Sequence, residues 1–228
     1  MSCILNIETA TPVCSVALSW NSDVVFHKEN YEGASHASLL GVYVAEAVQY
    51  ARENGHALDA VAVSAGPGSY TGLRIGVSEA KGLCYGLNIP LIAVPALKIM
   101  VKSVILSGID ADYYCPMIDA RRMEVYAAIY DRQLHEIRET GADVVDEEVY
   151  APYLKQEKMA FFGNGAAKCK TILSSPNAIF LDDIHPFASN MVPLAETAFI
   201  NREFEDIAYF EPFYLKEFVA IAAKNKVI

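Results

Sequence analysis

Long apolar runs are missing from this chain of 228 residues. None approaches the roughly 20 residues that a membrane-spanning helix needs, and the opening stretch "MSCILNIETA" lacks the basic region that begins a secretory signal. The expectation is a cytoplasmic protein with no membrane contact. Paired cysteines are missing too. The five cysteines, at positions 3, 14, 84, 115 and 169, are scattered and odd in number, with no C-x-x-C. That excludes a disulfide framework and a thiolate zinc site, and leaves them as small buried hydrophobes. Basic clusters are scarce. With 18 Lys and Arg against 28 Asp and Glu the net charge is −10, and no basic run exceeds the pair Arg121 and Arg122. Proteins that grip nucleic acid draw most of their affinity from phosphate contacts, so any RNA in this protein's biology is expected to be held mainly by something else. H-E-x-x-H does not occur, and the five histidines are isolated from one another. A helix-borne metal site wants histidines four apart, but position 40, four after His36, is Leu. No metal and no cofactor is expected.

What remains is ordinary globular composition, 53% hydrophobic and 20% charged, long enough for one or two domains. Residues 3–7 and 13–20 are short runs rich in Val, Ile, Leu and Cys, and after the polar turn at 21–23 a third run starts at Val24, as in an antiparallel meander. A helix is predicted from about Ser35 to Asn54 and Gly55, a good start and a good stop. "DAVAVSAG" (59–66) reads as a buried strand, "IPLIAV" (89–94) as another, and a helix follows near 96–107. The pattern then recurs. "NIETATPVCSVAL" (6–18) lies over "MIDARRMEVYAAI" (117–129) at a constant offset of 111, so that Ile7-Glu8-Thr9 matches Ile118-Asp119-Ala120. A third strand is predicted near 134–145, strand then turn at 158–165, helix at 166–174, strand at 177–181 and helix at 191–203. Two similar halves of meander and helices predict an α/β fold with mixed sheets. It resembles the duplicated two-lobe plan of actin-like ATPases and sugar kinases. The lobes are expected at 1–102 and 103–228, with the last helix free to pack back on the first lobe.

The stretch "SAGPGSYTGLRIGVSEAKGLCYG" (64–86) holds six glycines in a segment that otherwise reads as helical. Glycine costs about 1 kcal/mol relative to alanine inside a helix, so these need a reason: a phosphate cradle or the close approach of another element. The phosphate motifs fail. "GNGAAKCKT" (163–171) imitates a P-loop but has Lys168 where the second glycine belongs. In "GPGSYTG", Tyr70 and Thr71 separate Ser69 from Gly72, so no nucleophile elbow forms. In actin-like enzymes the first hairpin carries an Asp and a Gly-Thr turn. Here "IETATPVCS" has Glu8 and no glycine, so Glu8 and Thr9 read as a vestigial phosphate-loop turn, and no catalytic residue is assigned. Packing remains. Gly72, Gly76 and Ala80 fall four apart on one helical ridge, and Ser78, Gly82 and Gly86 on a second. The preceding helix offers Leu40, Tyr43, Val44, Ala47 and Tyr50 as an apolar stripe, with Leu39 and Val42 beside it. Either both faces are internal core, or the two helices share an intermolecular bundle. Gly66 and Gly68 suit a tight turn from strand into helix.

Four segments carry a further resemblance: "LNIETATPVCSVAL", "SAGPGSYTGLRIGVSEAKGLCYGLNIPLIAVPAL" (64–97), "MIDARRMEVYAAIY" (117–130) and "PFYLKEF" (212–218). Together they resemble the bacterial TsaB family, also called YeaZ. The resemblance implies an actin-like fold and a part in making threonylcarbamoyladenosine at position 37 of tRNAs that read codons beginning with A. It implies a non-catalytic subunit. The homologous TsaD would hold the metal through a His-x-x-x-His helix motif and transfer the threonylcarbamoyl group. TsaB would bind and activate TsaD, the ATPase TsaE would join, and TsaB alone would form a homodimer through the same surface. Contact with tRNA would come mainly through the complex. The expected interface is Leu39, Val42, Tyr43 and Glu46 of the first long helix with Gly72, Leu73, Gly76, Val77 and Ala80 of the second. The rival reading is a self-contained actin-like ATPase or kinase, or a glycoprotease-type peptidase.

Overall fold

The structure, a computed structural model, describes residues 1–33 and 35–216; Glu217 and Phe218 of the "PFYLKEF" segment lie outside them. Strands β1 (Cys3–Glu8), β2 (Cys14–Trp20) and β3 (Asp23–Asn30) form the expected meander. Helix α1 (His36–Glu53), strand β4 (Ala60–Ser64), helix α2 (Tyr70–Leu87), strand β5 (Leu91–Val94) and helix α3 (Ala96–Leu106) follow. The second half repeats the strands: β6 (Tyr113–Asp119), β7 (Glu124–Tyr130), β8 (Glu136–Val144), β9 (Met159–Phe162) and β10 (Ala178–Leu181). One sheet runs β3-β2-β1-β4-β5 and the other β10-β9-β6-β7-β8, the same permutation twice. In each, a meander is antiparallel and the two later strands add in parallel. This is the duplicated α/β plan with mixed sheets.

Strand alternation sorts the first sheet's core. Leu5, Ile7, Val61 and Val63 pack toward α1 and α2, and Ile4, Ala60 and Ala62 toward the other face. Covered on both sides, β1 and β4 are buried along their whole length, as inner strands of such sheets must be. The other face is closed by α3 and by α5 (Ala188–Asn201), which returns from the second half of the chain to the first sheet. Buried Glu196 fixes that return, accepting from the Ser2 hydroxyl at 2.7 Å and the Ser22 N–H at 3.3 Å. Helix α3 stands between the sheets, with Leu97, Met100 and Val101 in one cluster with Tyr114, Ile118 and Phe162. All five cysteines are buried and free. Among the described residues no helix is long and apolar enough to cross a membrane.

Three local expectations need correction. The helix predicted at 166–174 is one 3₁₀ turn, Ala167–Cys169. Ser175-Pro176 stops it soon after, and the Lys168 ammonium is drawn off to the carbonyls of Arg122 and Glu124 at 2.8 and 2.7 Å. A short helix α4 (Ala151–Leu154) went unpredicted, one turn being too little for any periodicity to register. Helix α5 begins at Ala188 rather than 191 because the Ser15 hydroxyl accepts its first N–H at 2.9 Å, a partner 173 residues away.

Candidate partner interface and interlobe cleft

The glycines of α2 face this chain's own first hairpin. A Cβ on Gly72 would press on the Thr9 carbonyl oxygen, one on Gly76 on the Thr9 hydroxyl, and one on Gly68 on the Ala10 carbonyl, each well inside 3.0 Å. The Ser69 N–H donates to the Ala10 carbonyl at 2.7 Å, while its hydroxyl caps the helix by accepting from the Gly72 N–H at 3.2 Å. The second half repeats this joint. Gly66 and Gly163, which follow β4 and β9, have φ of +97° and +98°. A Cβ would meet the Phe213 carbonyl at 2.9 Å in the first and the Met117 carbonyl at 2.5 Å in the second.

That packing bears on five of the residues expected at the interface. Gly72, Leu73, Gly76, Val77 and Ala80 are all buried within the chain: Gly72 and Gly76 against the β1–β2 turn, Leu73 in the cluster that holds α3, and Val77 and Ala80 in the core between the first sheet and α1. The residues of α1 lie differently. Leu39 and Tyr43 are half-buried, Val42 is 50% exposed, and Glu46 is exposed and paired with Lys28 at 3.1 Å. On α2 the second ridge is the open one: Ser78, Gly82 and Gly86 are exposed, and added Cβ atoms on the two glycines would meet nothing within 4 Å. A matching ridge on α1, Ala37, Gly41 and Ala45, is also exposed. Its spacing of four was visible in the sequence but was masked by the larger apolar stripe beside it. Helices α1 and α2 thus lie side by side with small residues outward.

The two acids matched by the internal repeat sit in opposite surroundings. Glu8 is fully buried at the end of β1, and its Oε1 accepts the Ala10 N–H at 2.6 Å. Burial pushes its carboxyl up to about 7, against the lowering effect of that N–H and of the nearby Ser64 hydroxyl. That hydroxyl sits close to the carboxylate without reaching good hydrogen-bond geometry, and Glu8 Oε2 and the Thr9 hydroxyl find no partner among the described residues. Asp119, at the end of β6, is exposed; it pairs with Lys168 and accepts the Arg121 N–H at 3.1 Å. His36, at the start of α1, is committed to the first turn, its Nε2 3.0 Å from the Thr11 carbonyl and 3.3 Å from that of Val13. As carbonyls only accept, that nitrogen carries the proton.

Between the sheets lies a cleft of about 1010 Å³. One wall is the first hairpin turn and the opening turn of α2; the other is the β6–β7 turn with Asn164. Residues 205–216 strap the two together. The Glu205 N–H donates to Leu91, Lys81 donates to the Phe210 carbonyl at 2.8 Å, the Phe213 N–H donates to Ala65 at 2.8 Å, and Lys216 pairs with Glu124. Tyr214 packs on Tyr70 with ring centroids 4.9 Å apart.

Two sheets of identical strand order around a central cleft define an actin-like two-lobed protein. The fold aligns with the activator of 2-hydroxyisocaproyl-CoA dehydratase from Clostridium difficile, a structure with bound ADPNP, at a TM-score of 0.50 and 9% identity over 90% of this chain and 98% of that one. At that identity the likeness concerns the fold alone. The family described as "TsaD: tRNA N6-adenosine threonylcarbamoyltransferase" matches residues 30–224. The Escherichia coli K12 tRNA threonylcarbamoyladenosine biosynthesis protein TsaB is 31% identical over 95% of this chain and 96% of its own. YeaZ from Pseudomonas aeruginosa aligns at a TM-score of 0.82 with 27% identity, covering 94% of this chain and all of that one. The chain belongs to the TsaB (YeaZ) family of tRNA threonylcarbamoyladenosine biosynthesis, a branch of the wider TsaD-type family.

Proposed function

We propose that this chain is the non-catalytic subunit that binds and activates a TsaD-type transferase for modification of adenosine 37 in tRNAs reading codons that begin with A. The observation that carries the reading is the outward face of α1 and α2, where both small-residue ridges and Val42 are exposed and Ala37 of one ridge lines a groove with Ser78 of the other. Small residues let a partner helix approach closely, and such a face left uncovered is a docking surface in search of a helix pair. Leu39, Val42, Tyr43 and Glu46 contribute from α1, and Ser78 and Gly82 from α2. The five buried residues of α2 contribute by seating that helix on the first hairpin and the core beneath it. TsaE joins the assembly, and without TsaD the same face pairs with a second copy.

The full burial of Glu8 at the end of β1 and the hold of the Thr11 and Val13 carbonyls on His36 Nε2 support the assignment of chemistry to the partner. Activation is then a matter of differential binding: each 1.4 kcal/mol by which the active arrangement of TsaD is bound more tightly raises its population ratio tenfold. The test is Gly82→Arg with Val42→Arg, both at exposed positions. The variant should keep the fold by circular dichroism, lose co-purification with TsaD, and fail to restore threonylcarbamoyladenosine in the tRNA of cells depleted of the wild-type chain. Wild-type complex and wild-type nucleoside levels would refute the interface.

A further inference from the structure

The chain contains two hairpin turns with consecutive residues at positive φ. In the β2–β3 turn they are Asn21 and Ser22, at +50° and +71°, small polar residues that tolerate this conformation. In the β6–β7 turn they are Arg121 and Arg122, at +72° and +51°. Asn and Gly are the residues such turns favour, and a left-handed backbone costs a residue with a long side chain about 1 kcal/mol. Both arginines line the cleft, and neither guanidinium has an ion pair or hydrogen bond among the described residues. The carboxylates around them are already matched, Asp119 by Lys168 and Glu124 by Lys216.

The cleft continues along α2 into a shallower groove that shares Tyr70 and Thr71 and reaches Arg74. There the Arg74 guanidinium lies 5.4 Å over the Tyr70 ring, which in turn packs on Tyr214. Glu79, at the α2 end, is the one carboxylate of this track without a basic partner among the described residues. On a chain of net charge −10, the track thus holds a local excess of cations interleaved with aromatic rings. That is the chemistry that holds a single nucleic-acid strand, cations on phosphates and rings under bases. A free nucleotide fits less well. The first hairpin turn is filled by its contacts with Gly72 and Gly76 and with the Glu8 carboxylate, which leaves no backbone cradle in that wall for a terminal phosphate.

We infer that this track takes a single-stranded segment of RNA, with Arg121 and Arg122 on successive phosphates and the Tyr70 and Tyr214 pair as a stacking surface. The inference rests on the proposed role in tRNA modification and adds a direct contact from this subunit. The test is Arg121→Asn with Arg122→Gly, which removes both charges and gives the turn the residues its backbone favours, so the fold is retained. Anisotropy of a labelled, unmodified tRNA is followed with this chain alone at low salt and with this chain mixed with TsaD. Loss of two phosphate contacts should weaken binding about tenfold and flatten the log–log salt dependence by about 1.4, while co-purification with TsaD is unchanged. Equal RNA affinity and salt slope for variant and wild type overturn the inference. Displacement of the RNA by ATP overturns it as well, in favour of a nucleotide site. Failure of wild type to bind TsaD overturns the functional reading instead, and the titration with this chain alone then decides the RNA contact separately.

Discussion

Gly72→Ala is the sharpest perturbation of the joint between α2 and the first hairpin. Helix propensity by itself favours alanine by about 1 kcal/mol. Against this, the new Cβ would sit well inside 3.0 Å of the Thr9 carbonyl oxygen and 3.3 Å from the Ser69 Cβ. The first of these is backbone, held in the β1–β2 turn, and cannot swing aside as a side-chain end can. Overpacking costs about 1–3 kcal/mol, and a clash with fixed backbone belongs at the upper end of that range, so the net effect is a destabilisation of about 2 kcal/mol. Gly82→Ala is the internal control, since its Cβ would meet nothing within 4 Å. It gains the propensity term alone, about 0.5–1 kcal/mol of stabilisation. Gly76→Ala tests the mechanism further, because its clash is with the Thr9 hydroxyl, a side-chain atom. Adding Thr9→Ala should rescue Gly76→Ala and leave Gly72→Ala unrescued, a coupling that a double-mutant cycle measures directly. Urea unfolding followed by the fluorescence of Trp20, the single tryptophan, which stacks on His56 at 3.7 Å, supplies the assay. Equal stability of Gly72→Ala and Gly82→Ala would falsify the account of why these glycines are there.

Two further perturbations probe buried carboxyls. Burial makes the Glu8 carboxyl titrate higher folded than unfolded, pushed up to about 7 from an ordinary 4.5. Its neutral form is therefore the one the fold favours: its contribution is fully present below about pH 4.5 and is lost as the pH rises through 7. That difference corresponds to a loss on the order of 3 kcal/mol, and Glu8→Gln should remove this part of the pH dependence in urea midpoints measured at acidic and mildly alkaline pH; an unchanged profile would show that Glu8 does not titrate in this window. Glu196→Ala leaves the Ser2 hydroxyl and the Ser22 N–H without their acceptor, a loss of about 2–3 kcal/mol, visible as a lower thermal midpoint; an unchanged midpoint would mean that α5 is held on the first sheet by its apolar face alone.

The strands and long helices were legible because their signals are local. Apolar runs bounded by turns marked the strands of the first half, and the offset of 111 between the two hairpins announced the duplication. The glycine ridge was legible as a close contact but not as a contact with Thr9. Spacing of four says that something approaches and carries no information about what. A residue in the β1–β2 turn, distant in sequence, fills the Gly72 and Gly76 side, and Gly82 and Gly86 are left open. The start of α5 was lost for the same reason, since its capping hydroxyl is on β2. The repeat between "GPG" and "GNG" is legible only in the structure. Three residues are too few for a sequence match, yet Gly66 and Gly163 share a backbone angle to within a degree.

That shared angle bears on how the two halves have come to differ. In both, a glycine turn after the inner parallel strand presses on the end of the acid-bearing hairpin: Gly68 on the Ala10 carbonyl, Gly165 on the backbone of Ile118 and Asp119. The joint is common, and the occupants of the hairpin decide the outcome. In the first half Glu8 turns inward to the Ala10 N–H and α2 closes over Thr9, so the turn is sealed and the Glu8 carboxyl is driven toward neutrality. In the second half the shorter Asp119 stays in solvent, matched by Lys168, and the two arginines that follow it stand in the cleft unmatched among the described residues. A cleft with one sealed wall and one cationic wall is poorly suited to grip a nucleotide between two hairpins. It can still present phosphate-binding groups along one edge while the outer face of the sealed half carries a partner. The proposed separation of roles, partner on α1 and α2 and polyanion on the β6–β7 turn, would follow from which hairpin was filled.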